Sequence, residues 1–479
     1  MSEMRDYMLD FMRSHELSMA KLAELLGYKS KTSLARLMED SSRPKSVIQF
    51  EAAMRRAFTL TEAEDAALHR AVAMTILGRA TYLAQEEMWR FVRGESVCDE
   101  SALTVTDAAT GERIDLKKRY SEMTNVQIVL LNCHSVPVFS ILRSLLQRED
   151  VTVEHFICSD ENAAKTLCAI NSLMPVFYER RYSGCIHISN PYDDATAPKG
   201  VMKADMMAVN YMLPDGGHGE DVIVFNDRTE GTLLAHWGQR GLFTHSLGLK
   251  REQYMPLKRT FFQCSAFENY VQFSDDCAQL ERNRSMWRIK PDVSVDWIPT
   301  PVLLSALKEG VIPPEEQDPQ VIDALYQIYD RRVRNTFSKR RPAHTLLKRS
   351  AMLRFAQTGR TSDHFWAMRP YTPRERVQIL TLVLNQHRSN PYFRIHFLRD
   401  DAMFRDAEIS LYDDLGILMT KSDTDYDLAA GHSEIMLNHP ELMRMFKDFF
   451  MKELVKNHTL PDDETSRFLT ELIEIAGEQ

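Results

Sequence analysis

The stretch from Leu17 to Glu39 admits few folds. Ser18 stands where a hydroxyl can accept from a free first-turn amide, and Leu22, Ala23, Leu25 and Leu26 follow at helical spacing. Gly27 supplies a residue free to take positive φ at the break. Ser30 can cap the next helix, whose apolar positions are Leu34, Leu37 and Met38, leaving Lys31, Thr32, Ser33 and Arg36 on its other faces. Two short helices joined by a glycine turn, the second opening on small and basic residues, form an object that fits the DNA major groove.

Charge points the same way. Residues 21–45 hold Lys21, Lys29, Lys31, Arg36, Arg43 and Lys45 against Glu24, Glu39 and Asp40, while the whole chain has a net charge of −9. A cationic island is what phosphate neutralisation and counterion release require, and an acidic remainder restricts any such binding to one face. The plain alternative is a three-helix packing module whose cationic face is merely solvated.

This segment resembles the lambda-repressor-like helix-turn-helix of the XRE family of bacterial regulators. The likeness rests on Leu22-Ala23, Leu26-Gly27, the Ser-Lys-Thr-Ser run at 30–33, Leu34, and Glu39 followed by a polar loop to Pro44. It covers residues 4–60. The resemblance implies DNA contacts from Lys29, Ser30, Lys31, Thr32, Ser33 and Arg36, with Arg43 and Lys45 on phosphates.

A chain of 479 residues with 44% hydrophobic and 27% charged positions is an ordinary globular protein of about three domains. No window approaches the roughly 18 unbroken apolar residues of a membrane span. Glu3, Arg5 and Asp6 do not open a secretory signal. Seven cysteines without a CxxC pair fit reduced thiols in a cytoplasmic protein. Cys133, Cys158 and Cys185 lie in or beside apolar runs, as buried small hydrophobes do.

Thr61 and Glu64 have the spacing of a capping box. The apolar pattern then runs through Leu68, Val72, Ile76, Leu83 and Trp89 to Gly94, with Gly78 as a candidate break. Residues 103–116, around Gly111, alternate as a β-hairpin does. From Val126 onward, strand-like runs alternate with helical ones: a strand at 126–132, a helix at 137–147 and a strand from Val151. The fold class expected is therefore multidomain, an all-α helix-turn-helix headpiece plus a large α/β body of two pseudo-repeated lobes. Its divisions are 1–60, a connector with hairpin at 61–124, a first lobe at 125–299, a basic helical linker at 300–370 and a second lobe at 371–479.

The repeat rests on two matches. Ile141-Leu142, Leu145-Leu146, His155-Phe156-Ile157 and Asp160 align with Ile379-Leu380, Val383-Leu384, His396-Phe397-Leu398 and Asp401. The run Val222–Asn226 with Leu233, Leu234 and Trp237 aligns with Glu434–Asn438 with Met445, Phe446 and Phe449. Two such halves would form a pseudo-symmetric pair, although helix-loop-strand units of any α/β protein share this spacing. A body of that kind is weakly similar to the phospholipase-D-like architecture. That family's histidine two residues before a lysine occurs nowhere in this chain, so the resemblance implies lost phosphodiesterase chemistry.

From Arg331 to Thr361 there are ten cations and no carboxylate, among them Arg331, Arg332, Arg334, Arg340, Arg341 and Arg349. They require an anion from elsewhere: an acidic face of the same protein, an anionic small-molecule effector, or DNA phosphates. The glycine-rich 214–221 segment lacks a P-loop lysine and reads as a hairpin loop. Asp193-Asp194 and Asp413-Asp414 have the pattern of turns, and the 15 histidines show no HExxH. No nucleophile, metal set or cofactor motif is present. The expectation is a cytoplasmic transcription regulator, acting as a homodimer on double-stranded DNA, with an effector-sensing or oligomerising body. The rival is an enzyme acting on an anionic substrate, with N-terminal helices for assembly.

Overall fold

The computed structural model describes residues 3–478 except 39–43, 96–103, 134–141, 143–144, 160–165, 169, 172–181, 189–204, 230–231, 247–253, 257, 261–274, 291–292, 311–317, 338–339, 362–368, 402–403, 405–406 and 422–432. The chain divides into two compact units, Met1–Glu87 and Met88–Gln479.

The first unit is helical: α1 (Glu3–Ser14), α2 (Met19–Leu25), α3 (Lys31–Ala35) with a 3₁₀ turn at Arg36–Met38, α4 (Pro44–Ala57) and α5 (Glu62–Leu77). Its core gathers Met4, Met8 and Phe11 of α1, Leu22, Leu34, Leu37, Phe50 and Met54, and Leu68 and Val72 of α5. Each such side chain, fully buried, contributes about 1.5–3 kcal/mol. The capping box at Thr61 and Glu64 forms as its spacing predicts. Thr61 N–H and hydroxyl both donate to Glu64 Oε2 at 2.8 Å, and the Thr61 amide above all holds the Glu64 carboxyl down at about 2.

One expectation about the connector holds and one does not. Gly78, at φ 83°, does divide it, and α6 (Arg79–Arg93) follows. But α5 is an integral wall of the first core, not a free connector. Its apolar residues meet α1 and α4, and Arg55 pairs with Asp65 at 2.7 Å. The first unit therefore extends past residue 60.

The second unit holds two mixed sheets. The first contains β1 (Thr104–Asp107), β2 (Thr124–Leu131), β3 (Val151–Ser159), β4 (Tyr182–Ile188), β5 (Asp205–Met212), β6 (His218–Thr229), β7 (Thr232–Trp237) and β8 (Tyr254–Pro256). Its order is β1-β7-β6-β5-β2-β3-β4-β8. The second contains β9 (Lys258–Thr260), β10 (Met286–Lys290), β11 (Ala343–Leu347), β12 (Phe393–Phe397), β13 (Ala407–Tyr412), β14 (Gly416–Lys421) and β15 (Ser433–Leu437), in the order β12-β11-β10-β13-β14-β15-β9.

The paths β4-β3-β2-β5-β6-β7 and β12-β11-β10-β13-β14-β15 are the same. Three parallel strands lead in each, and the remaining pairs are antiparallel. Strand for strand, β3 corresponds to β11 and β6 to β14. The sequence matches set β3 against β12 and β6 against β15, one strand out in both cases. Neighbouring helix–strand units bury the same alternating face, so apolar spacing alone cannot tell one from the next.

The division at 300–370 also fails. β10 already belongs to the second sheet, and β11 lies inside the supposed linker, paired on both sides. The flanking cations Arg340, Arg341, Lys348 and Arg349 mask a five-residue buried strand. At 103–116 the hairpin reduces to one bridge, Thr106 to Arg113, and β1 pairs in parallel with β7. The expected helix at 137–147 lies mostly outside the described residues, as do Asp160 and Asp193-Asp194. The 214–221 segment is the β5–β6 hairpin loop, and Asp413-Asp414 is the β13–β14 turn, with Asp414 at φ 70°.

One core joins both sheets: Ile128 and Leu130 of β2, Trp287 and Ile289 of β10, and Phe446 and Phe450 of the helix that follows β15. The outer face of the second sheet packs under helices Thr300–Gly310, Pro319–Phe337, Arg349–Thr358, Pro373–Ser389 and Asp462–Gly477. Gly359 ends one of them at φ 72°, and a Cβ there would lie 2.1 Å from the Tyr371 carbonyl oxygen. β8 and β9, one residue apart in sequence, pair with the outer edges of β4 and β15.

Candidate functional site

In the first unit, Ser18 Oγ accepts from Lys21 N–H at 3.2 Å and sets the start of α2. Gly27 turns the chain at φ 77°. Ser30 Oγ accepts from Ser33 N–H at 3.3 Å and lies 3.2 Å from Ser33 Oγ. Leu34 and Leu37 anchor the inner side of this segment in the core. Lys29, Ser30, Lys31, Thr32, Ser33, Arg36 and Lys45 are all exposed, while Arg43 lies outside the described residues. Ser30 and Ser33 hold the cap with their hydroxyls, and Lys29, Lys31, Thr32, Arg36 and Lys45 are exposed beside them. No ion pair joins Lys29, Lys31 or Lys45 to a carboxylate among the described residues.

The basic run is not one patch. Arg331 pairs with Asp275 at 2.6 Å, Arg334 with Asp330 at 2.6 Å, and Arg332 is buried against Glu281 at 2.7 Å. Arg340 and Arg341 are exposed in the turn before β11. Arg349 opens the next helix, its Nη2 donating to the Arg399 carbonyl at 2.6 Å. Three of the six arginines proposed for an effector thus find their anions within the protein.

Sequence reasoning missed two clusters in the second sheet. In the first, Arg288 Nη1 donates to Asp296 Oδ2 at 2.9 Å, and the Thr336 hydroxyl donates to the same oxygen. Burial raises the Asp296 carboxyl, but Arg288, Arg332 and Lys290 outweigh it and the net shift is downward. Beside this pair, Lys290 meets Glu408 at 3.0 Å. The second cluster is His344 on β11 and His396 on β12, with Nδ1 and Nε2 3.0 Å apart. The ring planes differ by 2° and their centres are 5.3 Å apart, which places the rings side by side in line. Lone pairs aimed along that line share a proton and do not converge on one ion. Burial, then Arg394, depresses His344 to about 4; burial, then His344, His387 and Arg394, depresses His396 to about 3. A separation of 52 residues leaves no local signal for the histidine pair.

Among the described residues, no group of three or more His, Cys, Asp or Glu side chains could hold a metal ion. No helix among them is long and apolar enough to cross a membrane. No family model and no curated protein matches the chain. Among solved structures it is similar to phosphatidylserine synthase of Haemophilus influenzae Rd KW20, with 7% identity and a TM-score of 0.26 over 75% of this chain and 90% of that one. So distant a likeness carries no argument about fold or chemistry.

Proposed function

We propose that the chain is a cytoplasmic DNA-binding transcription regulator, with its first unit as the XRE-like headpiece and its α/β body as a sensing or assembly module. One observation supports this above the others: a capped turn holds Lys31, Thr32 and Arg36 outward while Leu34 and Leu37 fix the segment from behind. Lys29 and Lys45 flank it as phosphate contacts, and Arg43 is expected to join them. Ser30 and Ser33 keep the turn in shape.

A homodimer would set two such segments about 34 Å apart on one face of a duplex. An anionic effector would act by binding one spacing better than another. The repeated strand order is read as an internal duplication that has lost any catalytic signature.

The test is DNA selection from a fragmented genome with the purified full chain, repeated with Lys31→Ala/Thr32→Ala/Arg36→Ala. Enriched sequences should vanish in the variant, while its melting temperature stays unchanged. Equal enrichment by both proteins, or none by the native chain, removes the headpiece from the account.

A further inference from the structure

We propose that the second sheet carries an internal site for a small uncharged molecule that both accepts and donates hydrogen bonds, held by Arg288, Asp296, Arg332 and Thr345. It goes beyond the DNA-binding reading and does not depend on it. The two sheets share a strand order but not an outer-face chemistry. In the first, Val129, Leu131, Phe156, Met206 and Ala208 form an apolar layer. In the second, strand register sets Thr345, Arg288 and Ser410 side by side, with Lys290 on the same face two residues on.

Arg288 is 1% exposed. Its Nη1 is taken by Asp296, but Nε and Nη2, the two donors that together form a fork, have no hydrogen-bond partner among the described residues. Among the described residues, Arg332 grips Glu281 through Nε and Nη2, leaving Nη1 unpartnered, as is Thr345 Oγ1, while the Ser294 hydroxyl lies beside the Asp296 carboxylate and lowers its pKa. Buried guanidinium donors without acceptors are costly enough that folded proteins supply a partner.

Charge decides which kind. Among the described residues, Arg288, Lys290 and Arg332 pair with Asp296, Glu408 and Glu281, charge for charge. An added ion would leave an uncompensated charge in a dry interior. The fork demands an acceptor, Asp296 Oδ1 can accept a donor besides the Ser294 hydroxyl, and a neutral occupant can meet both. Water and a primary amide share that chemistry. The carboxyl end of β10 lies beside the start of β13. There exposure rises from Arg288 to Lys290 at 6%, and Glu408's side chain reaches 19%.

Crystals of the full chain grown with and without acetamide test this, alongside melting curves in acetamide, acetate and methylammonium. An occupant should lie within hydrogen-bond distance of Arg288 Nε or Nη2 and of Asp296 Oδ1. Density that changes in acetamide, with a melting shift that Arg288→Met abolishes and the two ions do not produce, identifies a small-molecule site. Density for water in both crystals identifies water as the resident. A fork turned onto a protein atom, or one with no occupant in either crystal, overturns the proposal without touching the headpiece.

Discussion

Acid should unfold the second sheet and its helices well before the carboxylates titrate, and the cause is the paired imidazoles of His344 and His396. An unfolded histidine titrates near 6.5, whereas these two are held at about 4 and about 3 in the fold. Folded values below the unfolded one mean that the native state resists protonation. The stability concerned is whole above pH 6.5 and is lost as pH falls towards the folded values. Each proton bound by the unfolded chain but refused by the native one changes stability by about 1.4 kcal/mol per pH unit. Two histidines therefore give a slope of roughly 3 kcal/mol per unit between pH 6 and 4.5, a loss of about 4 kcal/mol across that window. A domain's total stability is on the order of 5–15 kcal/mol, so the loss is a large share of it. Urea melts in half-unit steps from pH 7.5 to 4.5 measure the slope. His344→Gln/His396→Gln should flatten it, with a residue from His387 and His439, which burial also depresses. A double variant that keeps the native slope refutes the reasoning.

Two substitutions address the units separately. Thr61→Ala removes the cap that starts α5 and should cost the first unit about 1 kcal/mol, read as a lower urea midpoint for that unit's helical signal. Gly359→Ala combines a left-handed φ with a backbone clash against Tyr371. It should destabilise the second sheet and its helices by about 3 kcal/mol or more, with Gly359→Asn no better, because the missing space and not the φ alone forbids a side chain.

Local grammar carried well from sequence to structure. The caps at Ser18, Ser30 and Thr61, the breaks at Gly27 and Gly78, and the turns at 214–221 and 413–414 are decisions made within a few residues, where hydrogen-bond reach and φ preference act directly. Pairing did not carry. β10 and β11 are five residues each and lie 53 or more positions apart, and nothing in either strand names its neighbour. For the same reason Arg332 reads as one cation among ten, although Glu281 meets it from 51 positions away. The chemistry of this body lives in long-range register, and spacing statistics are blind to it.

The short ribbon formed by β8 and β9 has a mechanical implication. Because consecutive residues of one backbone stitch onto the rims of both sheets, cutting there would bare two unpaired strand margins at once, an invitation to self-association. Dividing the body at this seam for separate expression should yield aggregates from either half. Co-expressed fragments that keep the ribbon whole on one piece should reassemble.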